Sequence, residues 1–224
     1  MREVVLVSGT DTGVGKTWVA AHVLKALAQR GVRVSARKPV QSFDPHEGPT
    51  DADILAAASA ESPQTVCPEH RRYGLPLAPP IAAEVLGRPP IRLHEVLEEI
   101  DVRDGALTLV EGVGGARSPL ADDGDCVSLA EALSPDVVIL VVPAGLGAIS
   151  AVRLGVSAFV PLPVVVYMNR FDAGNESHVR NLVWLTEVDH FEVCASIPEL
   201  VGALGARFAI DVATDPTTSA AMEV

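Results

Sequence analysis

Val4-Val5-Leu6-Val7 runs through Ser8 into Gly9-Thr10-Asp11-Thr12-Gly13-Val14-Gly15-Lys16-Thr17, and this junction decides the fold. The apolar run has the length and continuity of a strand buried on both faces. Beyond the glycines, Lys16–Gln29 sets Val19, Val23, Leu24 and Leu27 on one helical face and stops at Gly31, a residue suited to a left-handed cap. A glycine-rich turn between strand and helix lets backbone N–H groups curl round a phosphate, with a lysine for its outer oxygens and a hydroxyl for Mg²⁺. Five residues separate Gly9 from Gly15 where the strict phosphate-loop pattern has four, so this is a variant loop. A ligand-free glycine turn is the competing reading; Gly-Lys-Thr in this strand-to-helix context argues against it.

Outward from the junction, nearly continuous apolar runs recur at Val32–Ala36, Leu107–Val110, Val137–Val142, Val164–Met168 and Phe191–Ile197. Helix-like stretches lie between them at Ala52–Ala58, Ile91–Ile100, Ile149–Phe159 and Ser177–Glu187. This alternation predicts an α/β fold of the P-loop NTPase type: a mostly parallel sheet with helices on both faces and ligands beyond the carboxyl ends of the strands. The proline-rich stretch Ser62–Pro90 reads as a long inserted connection around one short helix, Pro80–Leu86, rather than as a linker. Residues 1–224 are therefore expected to form one domain.

Composition narrows the function classes. The 224 residues carry 17 Lys plus Arg against 29 Asp plus Glu, a net charge of −12, with no basic cluster beyond Arg71-Arg72. A broad face for nucleic acid or an anionic membrane is not expected. Cys67, Cys126 and Cys194 form no C-x-x-C pair, no secretory leader pattern is seen, and no run has membrane-spanning length, so a cytoplasmic protein is expected. The six histidines are scattered without metal-ligand spacing and carry no role here. Lysine is scarce: Lys16, Lys25 and Lys38 are the only three.

Lys38 sits in Arg37-Lys38-Pro39-Val40-Gln41-Ser42, where a second strand of a parallel sheet would end beside the phosphate loop. A lysine after a strand is ordinarily solvated; in this lysine-poor chain its position suggests charge stabilisation of a transferring phosphoryl group. Leu107-Thr108-Leu109-Val110-Glu111-Gly112-Val113-Gly114-Gly115 ends a strand in a carboxylate suited to Mg²⁺, followed by glycines that allow close approach. Asp51-Ala52-Asp53 offers either a metal contact or a helix cap. Asn169, in Tyr167-Met168-Asn169-Arg170, suits an adenine edge or a turn.

Together these segments resemble the dethiobiotin synthetases, which close the ureido ring of the biotin precursor at the expense of ATP. The resemblance covers most of the chain: 9–17, Lys-Pro-Val at 38–40, Thr50-Asp51-Ala52, Ala78-Pro79 with Ala82-Ala83, Glu111-Gly-x-Gly-Gly, Leu146-Gly147, Asn169-Arg170 and Ile197-Pro198-Glu199-Leu200. It implies that 7,8-diaminopelargonate, CO₂ or bicarbonate, and ATP are the substrates. Lys16, Lys38 and Thr12 would act on the reacting groups, and Thr17, Asp51 and Glu111 would hold Mg²⁺. Gly13, Val14, Gly15, Lys16, Thr17 and Trp18 would bind the nucleotide together with Glu111, Gly112, Val113 and Gly114. Asn169, Arg170, Pro198, Glu199 and Leu200 would meet its base. Ser42 would contact the substrate or its carbamate. A homodimer is implied, with Leu146, Gly147, Ile149 and Ser150 of a partner subunit near the substrate carboxylate. Departures fall at Gly13, where some members carry glutamate, and at Pro80 and Ala151, where histidine is frequent; the interval from Ile149 to Asn169 is also short.

A nucleotide-switch ATPase of the partitioning or septum-positioning type would share the variant loop. Those proteins carry a lysine five residues before the Gly-Lys lysine, where this chain has Asp11, and residues 211–224 contain no lysine or arginine for a basic membrane tail. A non-catalytic module of the same fold would be expected to lose Lys16, Lys38 or Glu111, and all three are present.

Overall fold

A computed structural model describes residues 3–210. The first two residues and the 211–224 tail lie outside that description. The elements run β1 (Glu3–Gly9), α1 (Lys16–Gln29), β2 (Val34–Arg37), β3 (Gln41–Ser42), α2 (Asp51–Ser59), α3 (Pro63–Val66), β4 (Arg72–Tyr73), α4 (Pro79–Val85), α5 (Leu93–Glu99) and β5 (Leu107–Glu111). They continue with β6 (Pro119–Ala121), β7 (Gly124–Asp125), α6 (Cys126–Leu133), β8 (Val137–Pro143), α7 (Ala148–Phe159), β9 (Val164–Asn169), α8 (Glu176–Val183), β10 (Glu192–Cys194) and α9 (Ile197–Phe208).

Six strands make one sheet in the order β10-β9-β8-β1-β5-β2, every neighbour parallel. The continuous apolar runs are explained by cores on both faces. Along β1, Val5 and Val7 pack with α1, α2 and α9, while Val4 and Leu6 pack with α4, α5 and α6. Each fully buried Val or Leu contributes about 1.5–3 kcal/mol. In a parallel sheet all carboxyl ends lie at one edge, so the ends of β1, β2 and β5 deliver their loops to the same place.

Several boundaries differ from the sequence reading. The second strand begins at Val34, not Val32, because the Val32 N–H returns to Leu27 O at 3.2 Å and finishes the α1 terminus through Gly31 at φ 79°. The run Phe191–Ile197 is strand only to Cys194. Ser196 and Glu199 then cap α9 reciprocally, satisfying N–H groups that a continued strand would have paired. Neither α6, capped by Asp125, nor α9 was expected. The helix expected at Ser177–Glu187 ends at Val183 and continues as a wider π-turn over Trp184–Val188. Ser62–Pro90 folds as α3, β4 and α4, and Val66 O accepts the Lys38 N–H at 2.8 Å. No described helix is long and apolar enough to cross a membrane.

Candidate functional site

The loop between β1 and α1 is shaped by its glycines. Gly13 and Gly15 have φ of 73° and 97°, and Thr10 N–H anchors the loop to Val141 O at 3.0 Å. Gly15 is the N-cap of α1 and no side chain caps that end. The first-turn N–H groups and the positive end of the helix dipole therefore suit an anion. Lys16 is buried and folds back to donate to Asp11 O at 3.0 Å. Burial, and then the Lys38 ammonium, push its pKa down.

Sheet register brings the second lysine to the carboxylate. Arg37 stands opposite Val110, so the next residues along, Lys38 and Glu111, fall side by side. Lys38 Nζ lies 2.6 Å from Glu111 Oε1, 2.8 Å from Asp51 Oδ2 and 2.9 Å from Gly112 O. Burial would lower this lysine, but the Glu111 and Asp51 carboxylates outweigh it and hold the ammonium above the ordinary range. Thr17 Oγ1 is 2.8 Å from both Asp51 Oδ1 and Glu111 Oε1. Glu111 is fully buried and its Oε2 has no partner. Burial pushes its pKa up against the pull of Lys38, whereas for Asp51 the attraction of Lys38 outweighs burial and the net shift is downward.

The structure divides the roles of the two aspartates. Asp53 accepts from Thr50 N at 2.9 Å and completes the capping box of α2, leaving Asp51 to face Thr17 and Lys38. One hydroxyl and two carboxylates, one with an orphaned oxygen, are hard donors of the kind a small divalent cation takes. The Lys38 ammonium already serves as the cation between the two carboxylates. No cluster of three or more His, Cys, Asp and Glu side chains able to hold a metal occurs among the described residues, so water and phosphate oxygens would complete the shell.

These groups form the polar end of a cleft of about 550 Å³, whose other walls include Phe43, Pro49, Pro76, Leu77, Pro79 and Val113. Thr12, Gly13, Ser42 and Gly114 also line it, and Ser42 Oγ donates to Leu77 O. Two lysines face four carboxylates there, Asp44, Glu47, Asp51 and Glu111, so the lining is net negative rather than the cationic pocket that two conspicuous lysines suggest.

Other expected residues stand outside this cleft. Asn169 is buried, donates Nδ2 to Val14 O at 2.8 Å and accepts from Arg170 N at 3.0 Å, so it braces the phosphate loop. Gly112 packs against Cys126, and exposed Trp18 stacks on His22 with ring centroids 4.0 Å apart. Leu200 is core, packed with Val201 and Leu204; Pro198 and Glu199 form the exposed first turn of α9. Leu200, the fourth residue of α9, faces the core that this helix shares with α1. Leu146 is fully exposed, Gly147 is the N-cap of α7, and Ile149 and Ser150 lie in its first turn. Sequence reasoning missed Gln41, Thr50 and the apolar wall from Phe43 and Leu77. Buried amides and loop prolines carry no sequence signature of their own.

A family model described as an AAA domain matches residues 3–202. An ATP-dependent dethiobiotin synthetase BioD from Caulobacter sp. (strain K31) is 37% identical over 177 residues, 75% of this chain and 76% of that one. The protein of the same name from Anaeromyxobacter dehalogenans (strain 2CP-C) is 34% identical over 86% of this chain and 88% of its own. A putative plasmid partition protein from Borrelia burgdorferi B31, solved with AMPPNP, superposes at a TM-score of 0.49 with 13% identity, covering 87% of this chain and 86% of that one.

Proposed function

The chain belongs to the ATP-dependent dethiobiotin synthetase family, and we propose that its cleft closes a ureido ring by way of a phosphorylated carbamate. The protein is an ATP-dependent ligase of biotin biosynthesis. In the proposed sequence, one amine of 7,8-diaminopelargonate adds to CO₂ and loses a proton, giving a carbamate. A carbamate oxygen attacks the γ-phosphorus of ATP and the bond to ADP breaks. The second amine then attacks the carbonyl carbon, expels phosphate and loses its proton.

The observation that carries this reading is the cleft itself, which joins a phosphate-loop end to an apolar wall suited to an aliphatic chain. A nucleotide switch needs the first part and not the second. Lys16 and the α1 N-terminus would hold the phosphates, and Thr17, Asp51 and Glu111 would hold Mg²⁺, which when bound offsets triphosphate charge. All three N–H groups of Lys38 are taken by Asp51, Glu111 and Gly112. Lys38 would have to exchange one of them for the carbamate or the moving phosphoryl group, acting as a fixed positive charge and not as a base. Thr12 and Ser42 would meet the substrate. By the same reading a second subunit's Leu146–Ser150 segment would meet the substrate carboxylate, and Asn169 with Pro198 and Glu199 would border the base.

Incubation with diaminopelargonate, bicarbonate and MgATP should yield dethiobiotin and ADP in equal amounts. ATP hydrolysis without ring product would instead favour a nucleotide switch. For Glu111→Gln the Mg²⁺ needed for half-maximal rate should rise by more than the roughly 10-fold that losing even an outer-sphere partner costs. An unchanged Mg²⁺ titration would remove Glu111 from the metal's surroundings.

A further inference from the structure

Gln41 is 1% exposed and carries no role in the chemistry above, yet it touches the element on which that chemistry depends. It stands three residues beyond Lys38, in β3, whose pairing with β4 sets Gln41 opposite Arg72. Its Oε1 accepts the Ala52 N–H at 3.0 Å and its Nε2 donates to Thr50 Oγ1 at 3.3 Å. Thr50 is the N-cap of α2 and Ala52 its second residue, so the amide grips the helix on both sides of Asp51. The Ala52 N–H is one of the first-turn donors that a helix cannot satisfy internally, and Gln41 supplies the missing acceptor from another strand. Arg72 adds a second donor to Thr50 Oγ1 at 3.2 Å.

We propose that Gln41 is a positioning residue that fixes where Asp51 stands, and with it the affinity of the site for the nucleotide's divalent cation. One short segment thus holds Asp51 twice: Lys38 binds its carboxylate and Gln41 its flanking backbone. Without that grip the backbone on either side of Asp51 keeps only the Asp53 and Arg72 contacts to Thr50, and the Asp51 carboxylate must hold Lys38 and Thr17 from a looser first turn. The proposal rests on the reading of Asp51 as a cation contact, for which Asp51→Asn is the control.

The test measures Mn²⁺ binding to the full protein in the presence of ATP by electron paramagnetic resonance, alongside thermal melting. Gln41→Met, similar in length but unable to accept, should weaken Mn²⁺ binding about 10-fold, the scale of an outer-sphere loss. Gln41→Glu, whose carboxyl oxygen still accepts from Ala52, should recover most of it. If Gln41→Met lowers the melting temperature and leaves Mn²⁺ affinity at the wild-type value, the residue is merely structural and the proposal fails. It fails equally if Gln41→Glu binds as weakly as Gln41→Met. Asp51→Asn with unaltered Mn²⁺ affinity would overturn the reading of Asp51 itself. Absence of dethiobiotin from the wild type with Mn²⁺ binding lost in Gln41→Met would refute the reaction and uphold the positioning role.

Discussion

Replacing Lys38 with methionine should cut dethiobiotin formation by at least the ~10²–10³-fold that losing one preorganised electrostatic contact costs, while ATP still binds. Methionine keeps the unbranched stem and removes the charge. The phosphate loop, which joins β1 to α1 and does not include the β2 end, is left intact, so calorimetric titration with MgATP should stay within a few-fold of wild type. Near-normal turnover would contradict the role given to Lys38. Stability offers an independent check. Removing one partner of a buried ion pair costs about 3–5 kcal/mol, less here because Asp51 is partly exposed. Mg²⁺ should therefore raise the melting temperature of Lys38→Met more than that of the wild type, since it returns positive charge to Glu111 and Asp51.

Gly15→Ala should weaken ATP binding by up to about 100-fold, because strain of roughly 1–3 kcal/mol falls on the residue that starts α1. The backbone at φ 97° disfavours any side chain, and an added Cβ would collide with Asn169 Nδ2. The amide must then leave Val14 O, and the loop loses its brace to β9. Gly13→Ala is the internal comparison: it shares positive φ but its Cβ would enter open space, so only the conformational cost applies. A fluorescent nucleotide titration showing equal losses for the two variants would contradict the brace.

The first strand, the glycine loop and both ends of α1 were legible because short-range rules decide them: an apolar run, a Gly-Lys-Thr turn and a left-handed glycine. Lys38 and Glu111 were legible as strand-end residues, but their 2.6 Å contact depends on β5 lying beside β2, a non-local fact. The α9 boundary failed for the opposite reason. Ser196-Ile197-Pro198-Glu199 has the spacing of a capping box, yet the apolar residues around it continue the strand pattern and mask the signal. Asn169 was readable as a strand-end amide, whereas its turn toward Val14 is set by tertiary packing. The net negative cleft could not be foreseen, since Asp44 and Glu47 reach it only through the course of the 43–49 loop.

The strand order also bears on how the polypeptide acquires its shape. β1 and β2 are consecutive in the chain, yet they never pair with each other, because β5 stands between them. A nascent chain that has emerged through Arg37 thus presents two strands whose shared neighbour arrives only at Leu107. Until then both edges are open, and such long-range parallel pairing is slow and exposed to aggregation. Fragments ending before Leu107 should neither fold nor retain nucleotide, and the Glu111 carboxylate of the site is also the last residue of the strand that joins β1 to β2.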